Sequence, residues 1–496
     1  MGMCAEGSHA ARSWRCAQYT GDMDPQQGYG HRDPWAGRHA GGTVTTQIDM
    51  FDDGDNGGAM LLVELLRSAS LVLVKKLSNN DRDWAQFPNK HQGGVYIPPA
   101  QRESGFFPQL VEKARADGEA TIRECFFRTE WPQVDMVREK TRLVHYTSKG
   151  AETHMTGVPK PAFATLSPAS FLVMGRYVTE GVSIYRCLTI DSASADALLL
   201  IDTLSLPADF VSGIFEPAAA LAAERDAILD FAGRAIEAWL AGEIAAFADG
   251  NAALPSTVVL ARMARDRYLA DHGLTTLDPW AIERPGDAVR EISRTIEWEL
   301  FREFQRRERA IMLVRTILGD TPSDVTAAGI IRSVIDNIGE VDRLMLSASQ
   351  QRKSRAGYSF EHQIEAMLAA GAVPFEKQVV MDARKRPDFI LPSLVRFTTP
   401  APGATNGLIL SAKTTLRERW KQVQREMAGG DLFLATVDES IAANAIEDMA
   451  SLGIVLVVPE TLRESRSTEY VRHANVIGFD EFFHEELRGR RMTGWA

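Results

Sequence analysis

Cysteine is scarce in this sequence, with four among 496 residues. Cys4, Cys16, Cys125 and Cys187 lie far apart and form no CxxC pair, which argues against a zinc site or a disulfide framework and fits a reducing cytoplasm. Cys4, His9, Cys16 and His31 are too irregularly spaced to read as a metal cluster. Long apolar runs are also missing. None approaches the roughly 18 residues needed to span a bilayer, and the first residues lack the apolar segment of a signal peptide. The expectation is a cytoplasmic protein without a membrane partner. Surplus positive charge is absent as well: Lys and Arg total 55 against 66 Asp and Glu, a net charge of −11. With no bulk basic footprint, any contact with nucleic acid has to come from local clusters.

An apolar content of 45% and a charged content of 24% are ordinary for a globular chain, and the length allows two or three domains with their own cores. Residues 1–56, rich in Gly, Asp, Gln, His and Arg, read as a disordered extension, with Met23, Met50 and Met60 as later candidate starts. Order is expected from a helix at Met60–Leu66 and a strand at Leu71–Leu77. Short apolar runs at Gly94–Ile97, Glu119–Arg123, Thr141–Tyr146 and Ala169–Met174, separated by turn clusters, then predict a β-rich, barrel-like domain over 57–215. Helical patterns over Ala222–Phe247 and Asp287–Leu318 predict a helical linker and dimerisation region at 216–348, with Thr275–Pro285 as a proline-punctuated link. Arg302, Glu303, Arg306, Arg307 and Arg309 there read better as a solvated helix face than as a DNA contact. From 349 to 496, a helix opened by Ser359 and closed by Gly371 precedes strands at Lys377–Val380, Pro387–Leu391, Leu408–Ala412, Leu432–Thr436 and Ile454–Val458. That pattern predicts an α/β domain with a central mixed sheet.

The chemistry concentrates between Arg384 and Glu426. Asp388 follows Pro387 at the start of an apolar strand, where a buried carboxylate is costly unless paired or metal-bound. Lys413 ends the next apolar strand. Two opposite charges at the rims of neighbouring strands are what a salt bridge needs; with a second acid they are also what metal-assisted phosphodiester hydrolysis needs. The residues alone leave both readings open, and they leave Glu418 and Glu426 as rivals for the second acid.

The order Pro387-Asp388, Ser411-Ala412-Lys413 and, thirteen residues after the lysine, Glu426 resembles the PD-(D/E)XK nucleases that cut at CC- and GG-containing sites. In that subgroup a serine replaces the usual acid two residues before the lysine. The run Lys413–Trp420, the segment Arg352–Gly357 with Ser359 and Glu361, Lys385–Phe389 and Val457-Val458-Pro459 closely resemble the EcoRII-type restriction endonucleases. Upstream, Lys76-Leu77-Ser78 with Asn80-Asp81, and His91-Gln92 with Gly94 and Tyr96-Ile97-Pro98, resemble the N-terminal domain of the same type. The resemblance spans roughly residues 70 to 480.

It implies a multidomain chain: an N-terminal β-rich DNA-binding pseudobarrel acting as effector domain, a helical linker, and a C-terminal α/β restriction-endonuclease-like domain. Asp388 and Glu426 would be Mg²⁺ ligands, Glu361 a supporting acid, and Lys413 the residue that handles the attacking water and the phosphate. Products would carry 5′-phosphate and 3′-hydroxyl ends. Arg417-Glu418-Arg419 would read C·G pairs of a CCWGG-like site, since arginine donates to guanine O6 and N7 and glutamate accepts from cytosine N4. Arg352, Lys353 and Arg355 would neutralise phosphates. His91 and Tyr96, with Lys76, Lys149 and His154, would contact a second DNA copy. A homodimer on double-stranded DNA, engaging two sites, is the implied assembly. Two departures stand out: a sparsely basic loop, Lys149–Met155, where the type carries a Lys/Arg-rich one, and an insertion at Arg82–Asn89. The alternatives are a nuclease selective for modified DNA and a sequence-specific DNA-binding protein without cleavage.

Overall fold

The computed structural model describes residues 56–87, 93–113, 121–150, 152–251, 253–341, 359–379, 386–399, 407–416 and 431–495. Residues 1–55 of the expected extension lie outside them, and Asn56 opens a helix. Residues from Gly54 onward form one compact unit.

Its first part is β-rich. The strands are β1 Leu71–Lys76, β2 Val95–Tyr96, β3 Val111–Glu112, β4 Ile122–Trp131, β5 Met136–Tyr146, β6 Thr153–Thr156, β7 Phe171–Thr179, β8 Val182–Ile190 and β9 Ser212–Phe215. Among the described residues they form one sheet in the order β2-β6-β5-β4-β8-β7-β1-β9, with β3 on β4. The β4–β8 pair is parallel and the other pairs are antiparallel. Strand β1 is apolar over Leu71–Val74 because it is central, between β7 and β9. On one side the helix Asn56–Ser68 packs Leu62, Leu65 and Leu66 with Val72 and Val173. A Cβ on Gly175 would stand 2.9 Å from the Leu65 side chain, so the helix can cross this close only over glycine. Phe106, Phe107, Phe127 and Tyr185 form an aromatic cluster in a second core, where the Tyr185 hydroxyl donates to the Phe106 carbonyl at 2.7 Å.

Helices Pro217–Leu240, Ile244–Asn251 and Glu297–Leu318 enclose Phe231, Trp239, Ile244, Ile311 and Val314. The arginine run at 302–309 is largely tied up in ion pairs: Arg302 with Asp202 and Glu224, Arg306 with Glu224, Arg307 with Glu303. Residues 257–296 differ from a free linker. Tyr268, Leu277, Val289 and Ile292 share one core with Phe360, Ile364, Phe389 and Leu410 of the C-terminal part. The Trp280 indole donates to the Gly371 carbonyl at 2.8 Å, and Gln363 donates to the Ala261 carbonyl at 2.8 Å. Within the proline-punctuated stretch, Leu277 is buried, and Trp280 and Ile282 are half-buried against the same core.

The C-terminal sheet runs β10 Glu376–Lys377, β11 Phe389–Leu391, β12 Leu408–Lys413, β13 Asp431–Thr436, β14 Ile454–Val458 and β15 Val476–Gly478, side by side in that order. The first three are antiparallel to one another, and β12 to β15 are parallel. This is the mixed sheet the alternating pattern implied. Both faces are covered, so its strands are continuously apolar: Phe389, Leu410 and Phe433 face one core, and Ile390, Ile409 and Leu432 the other.

The β-rich and C-terminal parts meet through polar contacts. Lys76 pairs with Glu439 at 2.7 Å, and Arg290 holds the same carboxylate at 2.6 Å. The helix Asn79–Gln86 lies against 466–469. Asn79 donates to the Arg466 and Thr468 carbonyls, at 2.8 and 2.7 Å, and Arg82 pairs with Glu469 at 2.5 Å. Arg82, the first residue of the insertion noted above, therefore serves this interface.

Candidate active site

Strand register brings the two charged residues of the central motif together. Phe389 pairs with Leu410 across β11 and β12, which puts Asp388, just before β11, beside the end of β12. Three donors converge on one oxygen, Asp388 Oδ2: the Ala412 N–H at 2.7 Å, the Ser411 hydroxyl at 3.2 Å and the Lys413 ammonium at 2.6 Å. Ser411, fully buried, thus donates to the carboxylate instead of adding a second one. The Asp388 side chain is 14% exposed and that of Lys413 27%, so the pair is anchored in the sheet yet open to an approaching substrate.

Glu361 lies in the helix over 359–370. Its carboxylate accepts from the Gln378 amide at 3.4 Å and faces Lys377 at 3.7 Å. The Gln378 backbone N–H donates to the Asp388 carbonyl at 3.2 Å, so Glu361 reaches the Asp388 strand through Gln378. Gln378 has φ of 52°, a left-handed conformation that costs a residue with a side chain about 1 kcal/mol.

Oxygen donors such as Asp388 suit a hard divalent cation. Among the described residues no three His, Cys, Asp or Glu side chains gather to hold one. Glu426, the expected second acid, lies outside the described residues, as do Arg417, Glu418, Arg419, Arg352, Lys353, Arg355 and His91. Lys149 lies in a short 3₁₀ turn, Thr147–Lys149. Tyr96 and His154 are register partners on β2 and β6, with rings 5.9 Å apart edge to face. Lys76, on β1, pairs with Glu439 at 2.7 Å. A DNA contact by Lys76 would have to break its ion pair with Glu439.

Sequence reasoning passed over Asp438, just beyond β13. One of its oxygens accepts from the Leu416 N–H at 2.7 Å; the other accepts from the Ser440 N–H at 2.9 Å and the Ser440 hydroxyl at 2.6 Å. The usable signal was its position, since ligands gather at the carboxyl ends of parallel strands.

With this geometry in place, residues 323–483 match the family model described as EcoRII C terminal. The match lies in the C-terminal part of the chain. It holds Asp388, Lys413, Glu361 and Asp438. Two curated relatives agree. The type II restriction enzyme SsoII of Shigella sonnei is 27% identical over 202 residues, covering 38% of this chain and 64% of that enzyme. The type II restriction enzyme EcoRII of Escherichia coli is 32% identical over 137 residues, covering 27% of this chain and 34% of that one. The chain therefore spans about two thirds of the one and one third of the other. Among solved structures, metal-depleted Ecl18kI in complex with uncleaved, modified DNA is 23% identical with a TM-score of 0.40, covering 48% of this chain and 80% of that one. No described helix is long and apolar enough to cross a membrane.

Proposed function

We propose that this protein is a Mg²⁺-dependent type II restriction endonuclease that cuts both strands of DNA at a CC/GG-containing, CCWGG-like site. The observation that carries the reading is the Lys413 ammonium 2.6 Å from Asp388 Oδ2, at the rim of two paired strands in a segment that matches the EcoRII C-terminal family model.

Asp388 and Glu426 would hold Mg²⁺, which when bound stabilises charge on the reacting phosphate and lowers the pKa of water. Lys413 would neutralise a non-bridging phosphate oxygen and orient the attacking water or, as the free amine, take its proton. As the new P–O bond forms the P–O3′ bond breaks, and the 3′-oxygen takes up a proton from solvent. In-line attack at phosphorus then leaves 5′-phosphate and 3′-hydroxyl ends. Glu361 supports the site through Gln378. Arg417, Glu418 and Arg419 read the C·G pairs, and Arg352, Lys353 and Arg355 neutralise backbone phosphates.

The β-rich part is proposed as a DNA-binding pseudobarrel with an effector role, with Tyr96 and His154 beside His91 and Lys149 as its contacts. The adjacency of Tyr96 and His154 supports it. The Lys149–Met155 loop carries little positive charge, so a second DNA copy would bind weakly there. A near-palindromic site calls for two-fold protein symmetry. The helix Ala327–Asp336 supports a homodimer because it exposes Ile331 (61%) and Ile335 (62%), an apolar face that a second copy would cover.

Incubation of the full chain with phage DNA and Mg²⁺ tests the reading. Discrete fragments with one end sequence are expected. Random nicking, or a band shift without product at any protein concentration, would refute it.

A further inference from the structure

We propose that Asp438 is a positioning residue for DNA recognition, tying the turn after the Lys413 strand to the sheet. The inference rests on the reading of Lys413 and Arg417–Arg419 given above.

The chain leaves β12 at Lys413, and three residues later the Leu416 N–H donates to Asp438 at 2.7 Å, a bond spanning 22 positions. Leu416 is fully buried and is followed directly by Arg417. Lys413 and Thr436 are register partners on parallel strands, and Thr436 Oγ1 in turn accepts from the Asp438 N–H at 3.1 Å. The two strand ends are therefore stitched together at the residue that directly precedes the proposed base-reading residues in sequence. Asp438 is itself held firmly. The fully buried Tyr470 donates its hydroxyl to the Asp438 carbonyl, and Ser440 occupies the second carboxylate oxygen. With both oxygens engaged by protein donors and the residue 5% exposed, Asp438 is placed to orient backbone and not to bind a cation. A loop cap would hold Leu416 equally well, but it would have no bearing on which DNA is cut. Because the tether lies between the catalytic lysine and Arg417, loosening it lets the reading residues shift against the lysine. A displacement of about 1 Å near reacting groups costs on the order of 100-fold in rate.

The test compares Asp438→Ala, Asp438→Asn and Ser440→Ala in the full chain. Substrates are a short duplex carrying the site mapped from the wild-type digest and duplexes with one base pair of it changed. The readout is the ratio of single-turnover rates on the two, which does not depend on the fraction of active protein. Asp438→Ala should lower that ratio about tenfold, Asp438→Asn, which keeps one acceptor, should lower it less, and Ser440→Ala should leave it within about twofold while lowering the melting temperature. Equal loss on both substrates, with the wild-type ratio kept, overturns the inference. If Asp438→Ala does not fold, a wild-type ratio in Asp438→Asn does so. Absence of cleavage by the wild-type chain would instead remove the proposed function itself.

Discussion

Lys76 and Glu439, 363 positions apart in the sequence, meet at 2.7 Å where the β-rich part touches the C-terminal part. Burial alone would raise the carboxyl pKa, but Lys76 and Arg290 outweigh it and hold Glu439 at about 2. A carboxylate with a lowered pKa contributes stability above its unfolded value, near 4.5, and loses it as the pH falls toward 2. The melting temperature of the wild-type chain should therefore fall more steeply between those pH values than that of Glu439→Gln. Parallel curves from calorimetry would count against the assignment. At neutral pH the same substitution strands two cations and should cost about 3 kcal/mol.

Arg82 should prove a stability residue. It is buried, donates to the Leu166 carbonyl at 3.0 Å and pairs with Glu469 at 2.5 Å. Arg82→Ala leaves the Glu469 carboxylate without that partner, and a loss of about 3 kcal/mol in urea unfolding is expected. A loss under about 1 kcal/mol, the range of surface ion pairs, would show that the contact is not maintained in solution.

Gly286 marks a close approach of the 257–296 region to the C-terminal core. A Cβ there would stand 2.7 Å from the Phe479 ring and 2.8 Å from the Pro459 Cα. Gly286→Ala should destabilise by about 1–3 kcal/mol through overpacking. A neutral or stabilising effect in thermal melts would mean that the helix moves away without cost.

Arg419→Ala tests whether reading and cutting are linked through one segment. Loss of discrimination together with a slower rate on the DNA still bound is expected. Relaxed binding with full cleavage speed would separate the two functions.

Much of this was legible in the sequence because period and position carried it. The apolar runs at Leu408–Ala412, Leu432–Thr436 and Ile454–Val458 appear as β12, β13 and β14, and the alternating runs upstream appear within one β-rich sheet. Asp388 and Lys413 were legible because charge at the rim of an apolar strand is costly and so calls for a reason. What stayed hidden depended on contacts between distant residues. Thr275–Pro285 looked like a linker because nothing local shows that Leu277 and Trp280 are covered by the C-terminal part. The ion pair of Lys76 was hidden because Glu439 lies 363 positions along the chain. Asp438 looked like an ordinary turn residue because its partner, Leu416, offers only a backbone N–H.

The central claim is that Asp388 and Lys413 cut DNA. It is tested most directly by incubating the wild-type chain and Lys413→Ala with one plasmid and Mg²⁺, then sequencing the ends. The account expects wild-type fragments with a single end sequence containing CC/GG pairs, and a rate at least about 1000-fold lower for Lys413→Ala with DNA binding retained. Equal cutting by both proteins, or ends without a common sequence, would contradict it.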